Sequence, residues 1–201
     1  MGKDWTGNSR SAHAVLGARN FALEEREAHD YYATDPKAAA LLMGVETFAP
    51  AIWECACGEG HLSKEFEKAG YQVYSTDLID RGYGAVRDFL QSAAPPFPGF
   101  DIITNPPYSK AAEFVDHAMT LIDPGHKVAM FLKLQFLEGK ERRELFKKWP
   151  PKVVYVSSSR IACAKNGRFD KDGKKASSAV AYAWYMWEKG YTGDTVVKWI
   201  N

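Results

Sequence analysis

The sequence predicts an α/β fold in which a mainly parallel sheet is covered by helices on both faces. Three observations lead there. Short apolar runs alternate with amphipathic helical stretches between residues 51 and 156. The first run passes through Gly58-Glu59-Gly60 straight into a helical stretch. Near the carboxyl end, Ala179 to Trp187 holds nine residues without a charge, apolar on both alternating faces. That is the pattern of a strand inside a sheet rather than at its edge.

Residues 1–28 are mixed, with Gly, Asn and Ser first and then Glu24-Glu25-Arg26-Glu27, and read as a flexible, loosely held arm. Residues 29–201 read as one domain. Asp35 before Pro36 is an N-cap with proline at the first helical position, opening a helix over Lys37 to Met43. Ala51 to Cys55 is a strand, His61 to Ala69 a helix, Gln72 to Thr76 a strand and Val86 to Leu90 a weak segment. Pro95-Pro96-Phe97-Pro98-Gly99 is a breaker cluster and must be loop. A strand over Phe100 to Thr104, a helix over Ala111 to Ile122 and a strand over Lys127 to Leu132 follow. A helix from Gly139 to Lys148 ends before Pro150, and Val153 to Val156 is a further strand. Arg160 to Lys175 is irregular and reads as a mobile loop. A tight turn around Gly193-Asp194 leads from the long uncharged strand to a last one, Thr195 to Ile200. Two terminal strands joined without a helix imply an antiparallel addition to the sheet.

With 201 residues and 46% apolar side chains, the chain can bury one good core. Its 26 basic and 25 acidic side chains leave a net charge of +1, which argues against a strongly basic nucleic-acid coat but not against a local patch. No apolar run approaches the roughly 20 residues of a membrane span. No signal-peptide pattern opens the chain, so a cytoplasmic protein without membrane partners is expected. Three cysteines, two of them separated by a single residue, fit a reduced compartment. Cys55, Cys57 and Cys163 read as small buried apolar side chains. Zinc sites gather four ligands, and this set is a poor one, so no metal is expected.

The most informative segment is Asn105-Pro106-Pro107-Tyr108, directly after the run Phe100 to Thr104. It falls where a strand's carboxyl end opens into a crevice. Two prolines remove two backbone donors and fix φ, leaving a stiff corner that presents acceptors: the Asn105 side-chain oxygen and the Pro106 carbonyl. With the flat ring of Tyr108 beside them, these suit a planar group bearing an NH2, the shape of an amine-methylating site. In isolation the tetrapeptide also reads as a rigid surface turn. At the glycine loop, Gly58 and Gly60 let the backbone turn sharply and approach a ligand, and the helix start adds partial positive charge. Glu54, just before the loop, would repel a pyrophosphate yet pair with the amino group of an amino-acid-like cofactor. Ser63 almost completes a dinucleotide fingerprint, so nicotinamide binding competes at this loop. Asp77 follows Gly60 by about 17 residues, close to the spacing of an acid holding ribose hydroxyls, with a solvated strand-end acid as the alternative. Two readings stand for Asp88 and Phe89. Either they contact an adenine ring, the acid taking its amine and Phe89 stacking, or they are a surface acid beside a core aromatic. His61 reads as a surface residue at a helix start.

These segments resemble the amino-methyltransferases that use S-adenosylmethionine, and most of all the small phage or prophage N6-adenine DNA methyltransferases. Asn105-Pro106-Pro107-Tyr108 matches their Asp/Asn/Ser-Pro-Pro-Tyr/Phe motif without departure. His29-Asp30-Tyr31-Tyr32-Ala33-Thr34-Asp35-Pro36 resembles the segment that closes over the methionine end of the cofactor. Trp53-Glu54-Cys55-Ala56-Cys57-Gly58-Glu59-Gly60 resembles the cofactor loop, with its acid at Glu54, and Tyr71 to Asp77 the second strand with its ribose-binding acid. The likeness covers residues 29–135 well and the remainder loosely. It implies a Rossmann-like class I methyltransferase fold, seven-stranded with an antiparallel strand near the carboxyl end, and S-adenosyl-L-methionine as cofactor. The cofactor contacts it implies are Tyr32, Thr34, Glu54, Cys55, Ala56, Gly58, Gly60, Asp77, Leu78, Asp88, Phe89 and Asn105. The catalytic set it implies is Asn105, Pro106, Pro107 and Tyr108.

In that reading Asn105 Oδ1 and the Pro106 carbonyl hold the two hydrogens of adenine N6 while Tyr108 stacks on a base flipped out of its duplex. Methylation at cytosine C5 requires a cysteine that in that family follows a proline, and none of the three does. Lys133 to Lys175 carries 13 basic and 5 acidic side chains, read either as a solvated connection or as a phosphate-contacting stripe. Tyr108, Lys110, Arg160, Lys165 and Arg168 are the candidate substrate contacts; Lys3, Arg10 and Arg19 on the arm have less support. The expected function is methyl transfer to adenine N6, with DNA preferred as partner. No separate target-recognition segment is expected, and so weak sequence selectivity. RNA adenine-N6 and protein glutamine-N5 methyl transfer share the tetrapeptide. An NAD-dependent oxidoreductase and a non-catalytic nucleic-acid-binding module are the readings of another class.

Overall fold

The computed structural model describes residues 32–93, 97–159, 161, 163–165, 170–171, 174–175 and 180–201. The expected amino-terminal arm, Arg160 and Arg168 lie outside the described residues, as do the side chains of Tyr32 and Lys165. In chain order the elements are β1 (Tyr32–Thr34), α1 (Lys37–Met43), β2 (Ala51–Glu54), α2 (His61–Lys68), β3 (Gln72–Asp77), β4 (Ala85–Val86), β5 (Phe100–Thr104) and α3 (Ala111–Leu121). They continue with β6 (Lys127–Lys133), α4 (Lys140–Lys148), β7 (Val153–Ser157), β8 (Cys163–Lys165), β9 (Asp170–Lys171), β10 (Lys174–Lys175), β11 (Tyr182–Glu188) and β12 (Val196–Ile200).

Eight strands form the main sheet in the order β12-β7-β11-β6-β5-β2-β3-β4. Every pairing in it is parallel except the two made by β11. The uncharged run thus lies between β6 and β7, as a strand apolar on both faces must. Its alternation feeds two cores. Ala183, Tyr185 and Trp187 enter one, and Tyr182, Trp184 and Met186 the other. The buried indoles are satisfied: Trp184 Nε1 donates to Ala38 O at 2.9 Å and Trp187 Nε1 to Trp149 O at 3.0 Å.

Several expectations need correction. The sheet has eight strands, not seven, because the weak segment supplies β4 at one edge beside β3, while the last expected strand, β12, pairs with β7 at the other. It does not form a hairpin with β11, since both edges of β11 are already taken. The tight turn after β11 centres on Gly190, at φ 95°, rather than on Gly193. Val86 to Leu90 divides into β4 and a 3-10 turn, Phe89–Gln91, whose N-cap Asp88 accepts from Leu90 N at 3.0 Å. The stretch read as a mobile loop carries three short strands: β8 pairs antiparallel with β1, and β9 with β10.

The helices follow their patterns. α3 turns Ala111, Phe114, Val115, Ala118 and Met119 inward, the spacing of one helical face. Asp35 Oδ1 accepts from Lys37 N at 2.9 Å, so the expected cap of α1 is made. No described helix is long and apolar enough to cross a membrane. The sheet order reverses direction between β2 and β5, which opens a crevice at the carboxyl ends of those strands.

Candidate active site

A cavity of about 300 Å³ occupies that crevice. β2 delivers Glu54 to it, β3 delivers Asp77, and β5 delivers Asn105. Glu54 is 2% exposed. The Ser63 hydroxyl donates to its carboxyl and also meets Ser75 Oγ at 2.7 Å. Burial outweighs that bond and pushes the Glu54 pKa up to about 8. Burial likewise raises Cys57 to about 12 and Cys55 well above the ordinary thiol range, so neither is a ready nucleophile.

After Glu54 the chain turns through Gly58, at φ 55°, and Gly60, at φ 77°. A Cβ on Gly60 would lie 2.3 Å from Tyr83 Cε1, so the Tyr83 ring is what demands a glycine there. Neither glycine lines the cavity. Their place is to shape the loop, and Gly58 N donates to Asp77 Oδ2 at 2.8 Å. Asp77 Oδ1 accepts from Ile79 N at 3.0 Å, so one carboxylate ties the loop to the end of β3. Leu78, 56% exposed, sets an apolar side chain at this end of the cavity, with Ile79 and Leu90 close by.

At the other end, Asn105 Nδ2 donates to Thr34 Oγ1 at 2.8 Å. In this arrangement Oδ1 is the acceptor end of the amide. Thr34 is held in turn by the register of β1 with β8, where it faces Cys163. Pro106 is buried and Pro107 half-buried, and both line the cavity. The Tyr108 hydroxyl lies 3.4 Å from Cys163 Sγ, and burial holds it protonated well above its ordinary range. Its ring does not stand bare for stacking. Lys133 Nζ lies over it at 4.7 Å, and the Tyr182 ring is 5.8 Å away.

Thr34, Glu54, Cys55, Ala56, Asp77 and Leu78 all line this one cavity, as do Asp88, Phe89, the Asn105 to Tyr108 corner and Lys110. Phe89 satisfies both of its readings, since it lines the cavity and packs against Trp53 at 5.2 Å and Phe114 at 4.9 Å. Lys110 is exposed and paired with Glu113. Lys165 lies opposite Tyr32 in the β1–β8 pair. Sequence reasoning gave no site role to several lining residues, among them His61, Leu62, Ile79, Arg81, Leu90 and Phe114. His61 is a correction, because it stands in the cavity wall rather than on open surface, and burial lowers its pKa. Its position as first residue of the helix after the glycine loop was the available signal. Among the described residues no three His, Cys, Asp or Glu side chains cluster as metal ligands would.

No family model matches the sequence, and no curated protein does. Solved structures do match. A candidate class I S-adenosylmethionine-dependent methyltransferase from Listeria monocytogenes is 12% identical with a TM-score of 0.57, covering 94% of this chain and 71% of its own. A candidate RNA methyltransferase from Pyrococcus horikoshii is 14% identical with a TM-score of 0.55, covering 91% and 98%. A chain of a type I R-M system is 16% identical with a TM-score of 0.54, covering 96% of this chain and 48% of its own. The fold is therefore the Rossmann-like fold of class I methyltransferases.

Proposed function

We propose that this chain transfers a methyl group from S-adenosylmethionine to the exocyclic N6 of adenine in DNA. One observation carries the reading: the acceptor corner Asn105-Pro106 shares a cavity with Glu54 and Asp77 at the carboxyl ends of adjacent parallel strands. The lining suits such a cofactor. Each Asp77 oxygen accepts one backbone N–H and keeps a lone pair for a ribose hydroxyl. Leu78, Ile79 and Leu90 suit a purine ring, and buried Glu54 suits an amino group. S-adenosylmethionine, when bound, supplies an electrophilic methyl on a sulfonium.

The chain's own residues do the rest by position. Adenine N6 is a poor nucleophile because its lone pair is delocalised into the ring. Asn105 Oδ1 and the Pro106 carbonyl accept its two hydrogens, fix the plane of the amine and favour negative character on nitrogen during attack. An amide is neutral, so Asn105 orients the amine and is not the final acceptor of its proton. A base in a duplex must be extruded to reach this corner.

Tritiated-methyl transfer assayed on DNA, RNA and a glutamine-bearing protein, with identification of the modified group, tests the reading. Label on adenine N6 of DNA is the expected result. Label only on RNA would move the substrate, in line with the RNA methyltransferase among the structural neighbours. Asn105→Ala is expected to lower turnover by about 10²-fold or more while S-adenosylhomocysteine still binds. Undiminished turnover would remove Asn105 from its role.

A further inference from the structure

Tyr108 is a wall shared by two cavities. The second, of about 490 Å³, lies beyond the catalytic corner and is bounded by Leu132, Lys133, Phe136, Gly139 and Arg142. Leu132 and Phe136 are buried and give it an apolar floor. Its charged groups are Lys133, Arg142 and Glu138, the last exposed. Among the described residues these two cations rest on aromatic rings rather than on carboxylates, as Lys189 does on Trp149. Lys110, Lys127, Lys147, Lys148 and Lys152 each sit within ion-pair distance of a carboxylate. Lys133 and Arg142 are half-buried, and among the described residues neither is paired with one. Lys133 Nζ rests on the Tyr108 ring at 4.7 Å, and the Arg142 guanidinium on the Phe136 ring at 4.9 Å. Arg142 Nη1 also donates to Gln135 O at 3.0 Å and Glu138 O at 2.6 Å, which fixes the direction of the guanidinium. A guanidinium has five N–H donors, so others remain for an anion.

We infer that this second cavity grips a phosphodiester of the substrate strand through Lys133 and Arg142. The inference rests on the methyl-transfer reading, in which the reacting base lies against the other side of Tyr108. A half-buried cation without a carboxylate attracts an anion more strongly than a solvated one does. An oriented guanidinium beside an ammonium suits the several acceptor oxygens of a phosphate. The ring contact of Lys133 is a resting place of modest strength, and a phosphate competes with it well. Lys133 is thus a positioning residue, and Arg142 a fixed one beside it.

The test measures the affinity of the full chain for a single-stranded DNA oligonucleotide containing one adenine, and for the same sequence in RNA, across a salt series. S-adenosylhomocysteine binding is measured alongside. Lys133→Gln and Arg142→Gln are each expected to weaken oligonucleotide binding by about 10- to 100-fold. Each should also reduce the slope of log Kd against log salt by about 0.7. S-adenosylhomocysteine affinity stays unchanged, and Lys133→Arg regains the slope. Lys147→Gln, an exposed residue paired with Glu144, leaves the slope as it was. Arg142 also braces two carbonyls, so its variant is checked for folding. Among the described residues the Lys133 ammonium holds a ring and no carboxylate, and its variant decides the matter alone. A wild-type slope in Lys133→Gln overturns the inference while leaving methyl transfer standing. A chain that binds S-adenosylhomocysteine but neither oligonucleotide overturns it too. A chain that binds neither kind of ligand fails at the functional reading itself.

Discussion

A carboxyl group taken out of water keeps its proton into the neutral range, and Glu54 does so up to about 8 because burial outweighs its bond from Ser63. In the unfolded chain the same group ionises near its ordinary value of 4.5. Between those two values the folded chain holds a proton that the unfolded chain has released. Stability contributed by this site therefore falls as pH rises through that window and levels off above it. Glu54→Gln removes the effect. The variant is expected to unfold at higher denaturant than the wild type near pH 8, by a margin on the order of a few kcal/mol, with a flatter profile down to pH 5. Cofactor capture should read the same proton. An ammonium set against Glu54 lowers its pKa, so binding at pH 7 releases a proton and the calorimetric enthalpy varies with the buffer's ionisation enthalpy. If Glu54→Gln released as many protons on binding, the pairing of Glu54 with the amino group would be untenable.

The strand–loop–helix unit from β2 to α2 depends on a single missing Cβ. Gly60 adopts φ 77° and leaves room for the Tyr83 ring, which in turn hydrogen-bonds Glu67 of α2 at 2.9 Å. Gly60→Ala is expected to cost about 1–2 kcal/mol for the left-handed backbone alone, with the ring clash added. Pairing it with Tyr83→Ala should recover the clash and leave the backbone part, as a double-mutant cycle in urea would measure. Equal losses in the single and double variants would mean that Tyr83 is not the neighbour that matters. Elements of this kind were legible in advance because each site acid or amide ends a short buried run. Glu54, Asp77 and Asn105 all sit at or just past the carboxyl ends of parallel strands, and a strand end is visible in sequence. Pairing between remote segments was not. β1 meets β8 across about 130 residues of chain, and two three-residue strands carry too little periodicity to announce each other. Tyr108 suffers from the same limit. Its neighbours Lys133, Tyr182 and Cys163 come from three separate strands, so nothing local indicates that its ring carries an ammonium. Asp101 was hidden differently, inside an otherwise apolar run. It is 2% exposed and accepts from Ala49 N, Lys127 N and His126 Nδ1, which makes it an anchor where β5 begins.

Across the molecule, two cavities meet at one corner, with Tyr108 in the wall of both. Between β6 and β7 the chain makes one 3-10 turn and the nine-residue α4, with no further described element. Reading base edges requires side chains aligned with a groove over several base pairs, and phosphate contacts only position the strand. Among the described residues, the second cavity offers that corner two cations and aromatic rings, with Gln135 and Glu138 exposed at its edge. They suit holding a strand better than discriminating among its neighbouring bases. We therefore expect methylation of adenine with little dependence on flanking sequence. Duplex oligonucleotides that differ only at the positions around one adenine should differ in kcat/KM by less than about tenfold, since each specific base contact is worth about 1–3 kcal/mol of discrimination. A set in which one flanking sequence is methylated and the rest are inert would show that base-reading groups exist outside this connection. In that event Lys133 and Arg142 would keep their place as phosphate ligands, because salt dependence and base preference are separate readouts.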